Sequence, residues 1–154
     1  MSITVEQRLA DAGITLPEAA APVASYQPTV EAGGMLYISG QLPFVDGELV
    51  TGKLGENVSE EAGHKAAEAC ALMLAAQMKR ALGSLDRVER VVKLGAFVAS
   101  TADFTGQPKV ANGASDMMET IFGEVGRHAR SAVGVPVLPL DAAVEVDAVV
   151  QVKS

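Results

Sequence analysis

The sequence predicts an α+β fold, in which a mixed β-sheet carries two main helices on one face. Helical periodicity is concentrated in two long segments, and alternating apolar and polar residues occur before, between and after them. This order lacks the regular alternation that a doubly wound parallel sheet requires. A length of 154 residues fits one domain. We therefore expect residues 1–154 to form a single unit, in which residues 1–22 are an N-terminal helix and connector.

The N-terminal third predicts one short helix followed by short strands. Ile3–Ala12 carries apolar residues at helical spacing. Residues 15–23 include two prolines, so we expect an extended connector there. Residues 25–52 predict two or three short strands, with turns at Gly33–Gly34 and Asp46–Gly47.

The two long helices have recognisable ends. The first is predicted over Asn57–Leu82, because either Asn57 or Ser59 can cap its start and Gly83 can terminate it. The second is predicted to begin at Thr105 or Gly106 and to end near Phe122, with a proline in its first turn. Both segments place apolar residues on one side, so both helices are expected to cover the same sheet face.

Three further strands are predicted, at residues 88–100, 129–135 and 144–152. In the last of these, alternation places five apolar residues on one face, which we expect to pack under the helices. Glu145 and Asp147 then point to the opposite face. That face needs another cover, and because the strands are rich in Ala, Val and Gly, we expect neighbouring subunits to supply it.

Composition excludes several classes of function. The formal net charge of −7 repels phosphate backbones, so we expect no nucleic-acid partner. A single cysteine suits a reducing compartment. No N-terminal basic stretch precedes an apolar run, and no window reaches the roughly 18 apolar residues of a membrane span. The sequence thus predicts a cytoplasmic protein with no membrane partner.

Charged residues on the two closing strands are the first candidates for chemistry. Arg130, Ala132 and Gly134 share one strand face, and the small neighbours leave room beside the guanidinium. If the two closing strands pair, Arg130 and Glu145 could line one pocket. The guanidinium would bind a carboxylate through two hydrogen bonds, and the acid would orient or deprotonate a water. From spacing alone, a structural ion pair or a solvated edge explains the same residues.

The remaining candidates indicate neither a metal site nor a covalent nucleophile. His64 and His128 are expected at the surface, and Cys70 is expected to be an inert thiol on the apolar side of the first long helix. Two separated histidines and one cysteine do not make a usual zinc site, and the zinc-deaminase pattern is absent. We expect no metal.

Three segments carry a family resemblance. LYISGQLP (residues 36–43), the helix containing Asn112, and ARSAVGVPVLPLDAAVEVDAV (residues 129–149) resemble the reactive-intermediate deaminase family, also called RidA or YjgF. The chain looks like a longer member with an N-terminal helical extension. The resemblance implies a chorismate-mutase-like α+β fold and a homotrimer with clefts between subunits. It also implies hydrolysis of enamines and imines, such as 2-aminoacrylate and 2-iminopropanoate, to 2-oxo acids and ammonia without metal or cofactor.

The resemblance also assigns roles to individual residues. Arg130 matches the family arginine that holds the substrate carboxylate, and Glu145 matches the acid that positions the attacking water. Tyr26 matches a tyrosine that closes the cleft from a neighbouring subunit. Asn112 and Ser39 match polar residues that line the cleft.

The sequence departs from the family at one position of the site. Many members carry a cysteine two residues after the arginine, where this chain has Ala132, whose backbone groups can still bind substrate. The missing thiol favours an alternative, a non-catalytic trimer that binds a small carboxylate and regulates a partner. A third function, an endoribonuclease, is disfavoured by the acidic charge and the few aromatic residues. The physiological substrate stays open.

Overall fold

A computed structural model describes residues 3–22 and 24–154. The last residue of the predicted connector, Val23, and the first two residues of the predicted domain therefore lie outside the described residues. The helices are α1 (Val5–Asp11), α2 (Glu60–Leu82) and α3 (Gln107–Phe122). The strands are β1 (Thr29–Ala32), β2 (Met35–Gln41), β3 (Phe44–Val45), β4 (Glu48–Leu49), β5 (Val88–Ala99), β6 (Ala129–Val135) and β7 (Val144–Val152).

The main sheet is mixed, as the sequence predicts. Its five strands lie in the order β1-β2-β7-β5-β6. The β5–β6 pair is parallel and the other pairs are antiparallel. Helix α3 connects the parallel pair, because parallel neighbours need a long crossover. The small strands β3 and β4 form a separate hairpin, whose turn contains Asp46 and Gly47 at φ 52° and 81°.

Both long helices pack on the same face of the sheet. Helix α2 contacts β2 and β7, α3 contacts β5 and β6, and the two helices pack along each other. Ser59 caps α2 by accepting a hydrogen bond from the backbone of Ala62. Gly113 allows the close approach of the helices, since a side chain there would collide with the backbone carbonyl of His64.

Alternation along the strands correctly predicts which side chains are buried. On β2, Leu36 and Ile38 are buried under the helices while Tyr37 is exposed. On β7, Glu145 and Asp147 face away from a fully buried row. That row consists of Val144, Val146, Ala148, Val150 and Val152.

The opposite sheet face is covered only in part by the described residues. Leu138 and Ala142 pack over its end near Ala99. Elsewhere it carries exposed apolar side chains, with relative accessibilities of 52% for Val30, 49% for Tyr37 and 46% for Val133. We call this side the uncovered face.

Helix α1 is tied to the helical layer. Thr4 and Gln7 form a capping box at its start. The backbone of Val5 donates to the Asp86 carboxylate, and Glu6 forms an ion pair with Lys79 at 2.9 Å. The N-terminal helix therefore packs beside the ends of α2 and α3 and leaves the uncovered face open.

Candidate functional site

Arg130 lies on β6, which is an edge strand of the sheet. It stands opposite Leu94 of β5, so its side chain is on the helix-covered face. The guanidinium reaches α3, where Nη1 donates to Asn112 Oδ1 at 2.9 Å and to Ser115 Oγ at 3.2 Å. Nη2 donates to the Pro108 carbonyl oxygen at 3.4 Å, close to the outer limit for a hydrogen bond. We call these groups the arginine cluster.

The arginine cluster follows from the geometry of α3. Pro108, Asn112 and Ser115 are spaced by four and three residues, so they lie on one side of the helix. Because α3 connects β5 to β6, that side runs along the edge strand. Ala132 is the next residue on the same face as Arg130, and its methyl group leaves space beside the guanidinium.

His128 is also connected to the arginine cluster. Its Nε2 is 2.9 Å from Ser115 Oγ, and its Nδ1 is 2.6 Å from the Gly126 carbonyl oxygen. Burial lowers the pKa of His128, with a smaller contribution from the nearby Arg130 charge. The expectation of a surface histidine is wrong here, because the ring is half-buried between α3 and the start of β6. The i, i+2 spacing of His128 and Arg130 is the sequence feature that indicates their proximity, because residues two apart in an extended segment point to the same side.

Glu145 lies on the uncovered face, opposite Phe97 of β5. Its carboxylate rests against Gly40, where an added Cβ would stand 2.7 Å from Glu145 Cδ and Oε2. A bulge in β2 between Ile38 and Gln41 brings Gly40 to this position. Burial raises the pKa of Glu145, and the neighbouring Asp147 carboxylate raises it further.

Asp147 is a second acid on the uncovered face. It lies beside Gly95, which has no side chain to displace it. Burial raises the pKa of Asp147, although a hydrogen bond from the Gly95 backbone and the Lys93 charge oppose that shift. Two partly buried carboxylates two residues apart therefore share a protein surface, on which the Asp147 charge favours the protonated form of Glu145. The alternation in β7 predicts the position of Asp147 on this face but indicates no role for it.

Tyr26 and Ser39 line a cavity of about 110 Å³ beside the β2 bulge. Tyr26 is 43% accessible. Ser39 Oγ is buried and has no hydrogen-bond partner among the described residues. A buried hydroxyl without a partner carries a desolvation cost, which a bound water or ligand would remove.

A pair of glutamines holds the wall of this cavity. Gln41 Nε2 donates to the Ser39 carbonyl oxygen at 3.0 Å. Gln77 Nε2, on α2, donates to Gln41 Oε1 at 3.2 Å and to the Ala20 carbonyl oxygen at 2.8 Å. The connector, α2 and the bulge are thereby fixed to one another.

The structure separates Arg130 from Glu145 within one chain. The condition for a shared pocket was that β6 and β7 pair, and this is wrong, because β5 lies between them. The two side chains also point to opposite faces of the sheet. The physical reason is the crossover through α3, which places β6 on the outer edge of β5, whereas β7 pairs with its inner edge. The structure thus brings together Arg130 and Asn112, and, separately, Glu145 and the bulge that contains Ser39.

The remaining features of the described residues lie apart from these groups. Cys70 is buried, its Sγ is 3.7 Å from the Val144 carbonyl oxygen, and burial raises the pKa of its thiol. The His64 side chain is 37% accessible, and its Nδ1 lies 3.6 Å from Glu68 Oε1. A larger cavity, of about 760 Å³, separates the connector from α2 and the β3–β4 hairpin. Among the helices of the described ranges, none is both long and apolar enough to cross a bilayer.

Comparison with known proteins identifies the relatives of this chain. Residues 6–151 match the family model described as "YjgF/chorismate_mutase-like, putative endoribonuclease". Protein TCP17 of Trypanosoma cruzi is 56% identical over 92% of this chain and 90% of its own length. A RutC family protein of Aquifex aeolicus is 34% identical over 88% of this chain and 95% of its own length. A protein of Dermatophagoides farinae named 2-iminobutanoate/2-iminopropanoate deaminase is 28% identical over 91% and 95%.

Solved structures agree with the observed fold. The Agrobacterium tumefaciens protein Atu1372, whose function is stated to be unknown, has a TM-score of 0.90 at 47% identity, covering 97% of this chain and 92% of its own. A Shewanella oneidensis protein named as a "putative endoribonuclease" has a TM-score of 0.94 at 36% identity, covering 97% and 100%. The α+β architecture with a mixed sheet is therefore shared along nearly the whole chain.

Proposed function

Because the chain belongs to the YjgF/RidA family and has its chorismate-mutase-like fold, we propose that it hydrolyses small carboxylate-bearing enamines and imines to 2-oxo acids and ammonia. The observation that carries the proposal is the arginine cluster. Asn112 and Ser115 occupy Nη1 of Arg130, while its Nε has no partner among residues 3–22 and 24–154. An edge of the guanidinium is thus available to a carboxylate, which two parallel hydrogen bonds recognise well.

We further propose that the site is completed by other copies of the chain in a homotrimer. Arg130 and Glu145 lie on opposite faces of one sheet, so they can meet on one substrate only if Glu145 comes from a second protomer. The exposed Val30, Tyr37 and Val133 make the uncovered face suitable for burial against another copy. Tyr26 and Ser39, beside the bulge, would then border the same cleft from the Glu145 side.

In the proposed reaction, Arg130 binds the substrate carboxylate and the enamine tautomerises to the imine. The imine is protonated to an iminium ion. Glu145 of the neighbouring protomer accepts a proton from water as the water oxygen bonds to the C=N carbon and the π electron pair moves to nitrogen. Glu145 returns this proton to the nitrogen of the resulting carbinolamine, the C–N bond breaks and ammonia leaves, while the hydroxyl group loses its proton and its oxygen forms the C=O bond of the 2-oxo acid. The iminium carbon is already electrophilic, so positioning and electrostatics supply the catalysis, and we propose that no metal or cofactor takes part.

The raised pKa of Glu145 supports its proposed role. A general base works best when its pKa lies near the working pH. Burial and Asp147 shift the Glu145 carboxyl in that direction. Asn112 contributes by holding Arg130, and the side chain of Ala132 lies on the same face, two residues along β6.

The test of this function uses imines generated in place by an amino-acid oxidase, with 2-oxo acid release followed over time. Arg130→Ala is expected to lower kcat/KM by about a hundredfold, since it removes one partner of a charge-paired contact. Arg130→Lys keeps the charge without the planar fork and serves as the matched variant. Equal rates for wild type and Arg130→Ala would refute the proposal.

Assembly is tested separately by sedimentation velocity. A homotrimer of a 15.9 kDa chain has a mass of about 48 kDa, three times 15.9. Tyr37→Asp introduces a charge on the uncovered face and is expected to shift the mass toward one chain. Val125→Asp changes an exposed apolar residue in the turn after α3 and is the control. A wild-type protein that sediments as a single chain would contradict the proposed cleft.

A second function is favoured by one observation, the methyl group of Ala132 where many relatives have a thiol. We propose as the alternative a non-catalytic trimer that binds a small carboxylate and regulates a partner. Tight carboxylate binding without turnover across a panel of imines would select it.

RNA cleavage is disfavoured by the net charge of −7, and it would be accepted only if cleavage copurified with the protein and vanished in Arg130→Ala. The single cysteine supports a cytoplasmic location.

A further inference from the structure

A chain of hydrogen bonds leads from Arg130 into the protein interior. Arg130 Nη1 donates to Ser115 Oγ, Ser115 Oγ is hydrogen-bonded to His128 Nε2, and His128 Nδ1 is hydrogen-bonded to the Gly126 carbonyl oxygen. The donor–acceptor distances are 3.2, 2.9 and 2.6 Å in that order. No role follows for Ser115 or His128 from the family resemblance or from the relatives, yet both join the group that would bind substrate.

The chemistry of the partners determines the direction of these bonds. A carbonyl oxygen can only accept, so Nδ1 of His128 carries the proton and Nε2 of the neutral ring has a free lone pair. The Ser115 hydroxyl therefore donates to Nε2. Its oxygen lone pairs are left for the Arg130 N–H group, which can only donate. Burial and the Arg130 charge lower the pKa of His128, which favours this neutral form of the ring.

The donors of Arg130 can be counted in the same way. A guanidinium has five N–H bonds, of which two are on Nη1. Asn112 and Ser115 accept both Nη1 hydrogens, and Pro108 accepts one Nη2 hydrogen at a long distance. Nε–H and one Nη2–H have no acceptor among the described residues, and Nε and Nη2 share one edge of the guanidinium plane. This is the edge that a carboxylate binds through two hydrogen bonds.

We propose that Ser115 and His128 are positioning residues for Arg130. His128 directs the Ser115 hydroxyl so that its oxygen faces the guanidinium, and Ser115 with Asn112 orients the Nε–Nη2 edge toward the substrate carboxylate. This inference rests on the proposed function, in which Arg130 binds a carboxylate. Specificity for a carboxylate then depends on Ser115, which contacts Arg130, and also on His128, which contacts only Ser115.

A nucleophilic role for Ser115 is the competing explanation, since a serine bonded to a histidine is also the arrangement of serine hydrolases. The Arg130 contact argues against it. Nη1–H occupies a lone pair of Oγ and withdraws electron density from the oxygen that would have to attack. The half-buried position of Ser115 on the inner side of α3 also places the oxygen between two protein groups.

The test measures binding of pyruvate, a 2-oxo acid, to the full-length protein by isothermal titration calorimetry. Ser115→Ala removes one hydrogen bond to a charged group and is expected to raise the Kd about tenfold. Ser115→Thr keeps the hydroxyl and is expected to stay within about twofold of wild type on the same scale. His128→Gln presents an amide oxygen to Ser115 and is also expected to retain binding, whereas His128→Ala is expected to match Ser115→Ala. The double variant Ser115→Ala/His128→Ala is expected to bind no more weakly than either single variant, since the two residues act in series.

Nuclear magnetic resonance provides a readout that general loss of stability would not change. The chain has two histidines, so the two imidazoles are assigned with His64→Gln, which is also the binding control. We expect His128 to be protonated at Nδ1 only, and its Nε2 resonance to move toward that of a ring without a hydrogen bond in Ser115→Ala. Pyruvate binding equal to wild type in Ser115→Ala and His128→Ala, with weakened binding in Arg130→Ala, would overturn the inference and leave the proposed function standing. Equal binding and turnover in Arg130→Ala would instead remove the proposed function.

Discussion

The contact between Gly40 and Glu145 makes a quantitative prediction about catalysis. In Gly40→Ala the new Cβ would stand 2.7 Å from Glu145 Cδ and Oε2, whereas ordinary van der Waals contact begins near 3.4 Å. The carboxylate must therefore move by about 0.7 Å, the difference between these two distances. Misplacing a reacting group by roughly 1 Å can cost about a hundredfold in rate. We expect Gly40→Ala to lower kcat for imine hydrolysis by about ten- to a hundredfold.

The effect on substrate affinity and stability is expected to be small. Carboxylate binding depends on Arg130, which lies on the other face of the sheet, so the Kd for pyruvate should stay near that of wild type. Glu145 is half-buried and can shift toward solvent, so the overpacking cost should be about 1 kcal/mol, near the lower end of the usual range. For a protein of this size, that corresponds to a decrease in Tm of about 2–4 °C.

The assay compares kcat, pyruvate affinity and thermal denaturation across matched variants. Gly95→Ala is the control, because its Cβ displaces Asp147 on the same face and leaves Glu145 in place. We expect a smaller loss of kcat there. Gly40→Ala/Glu145→Gln should be no slower than Glu145→Gln alone, because the glycine acts only through the acid. Wild-type kcat in a folded Gly40→Ala protein would refute the assignment of Glu145 to the chemistry.

Three other predictions concern stability and reactivity. Gly113→Ala should lower the free energy of unfolding by about 1–3 kcal/mol, because its Cβ would push α3 away from the His64 carbonyl; a Tm within 1 °C of wild type, about the error of the measurement, would contradict this close packing. Native Cys70 should not react with a thiol reagent until the protein is denatured, since burial raises the pKa of its thiol, and rapid labelling of the folded protein would disprove this. Because the pKa of Glu145 is raised, the native state holds the carboxyl proton of Glu145 more tightly than the unfolded chain does. The contribution of the protonated Glu145 to native-state stability is therefore complete below the ordinary pKa of 4.5 and is lost as pH rises through the native pKa. Glu145→Gln should therefore be more stable than wild type at pH 7 and lose this advantage on acidification in denaturant titrations; an advantage independent of pH would show that the charge is not its cause.

Sequence alone predicted the three helices, the last three strands and the faces of the strands, whereas residues 25–52 form four strands instead of the predicted two or three. The C-terminal ends of α2 and α3, the burial of Leu36 and Ile38, and the buried row of β7 all follow from local patterns, whereas both helices begin one to three residues later than predicted. The capping of α2 is also a local property, but the sequence allows Asn57 or Ser59 as its N-cap and the structure shows that Ser59 is the capping residue. The presence of an arginine with small neighbours on one strand face was equally visible.

The tertiary structure decided which side chains meet. β5 separates β6 from β7 because the α3 crossover returns the chain to the outer edge of β5, and pairing across a sheet depends on packing that no local pattern encodes. Arg130 and Glu145 consequently lie on opposite faces. The contact of Gly40 with Glu145 required the β2 bulge, and the link from Arg130 through Ser115 to His128 required α3 to run along the edge strand. These contacts join residues distant in sequence, so only the packing of helices and strands could bring them together.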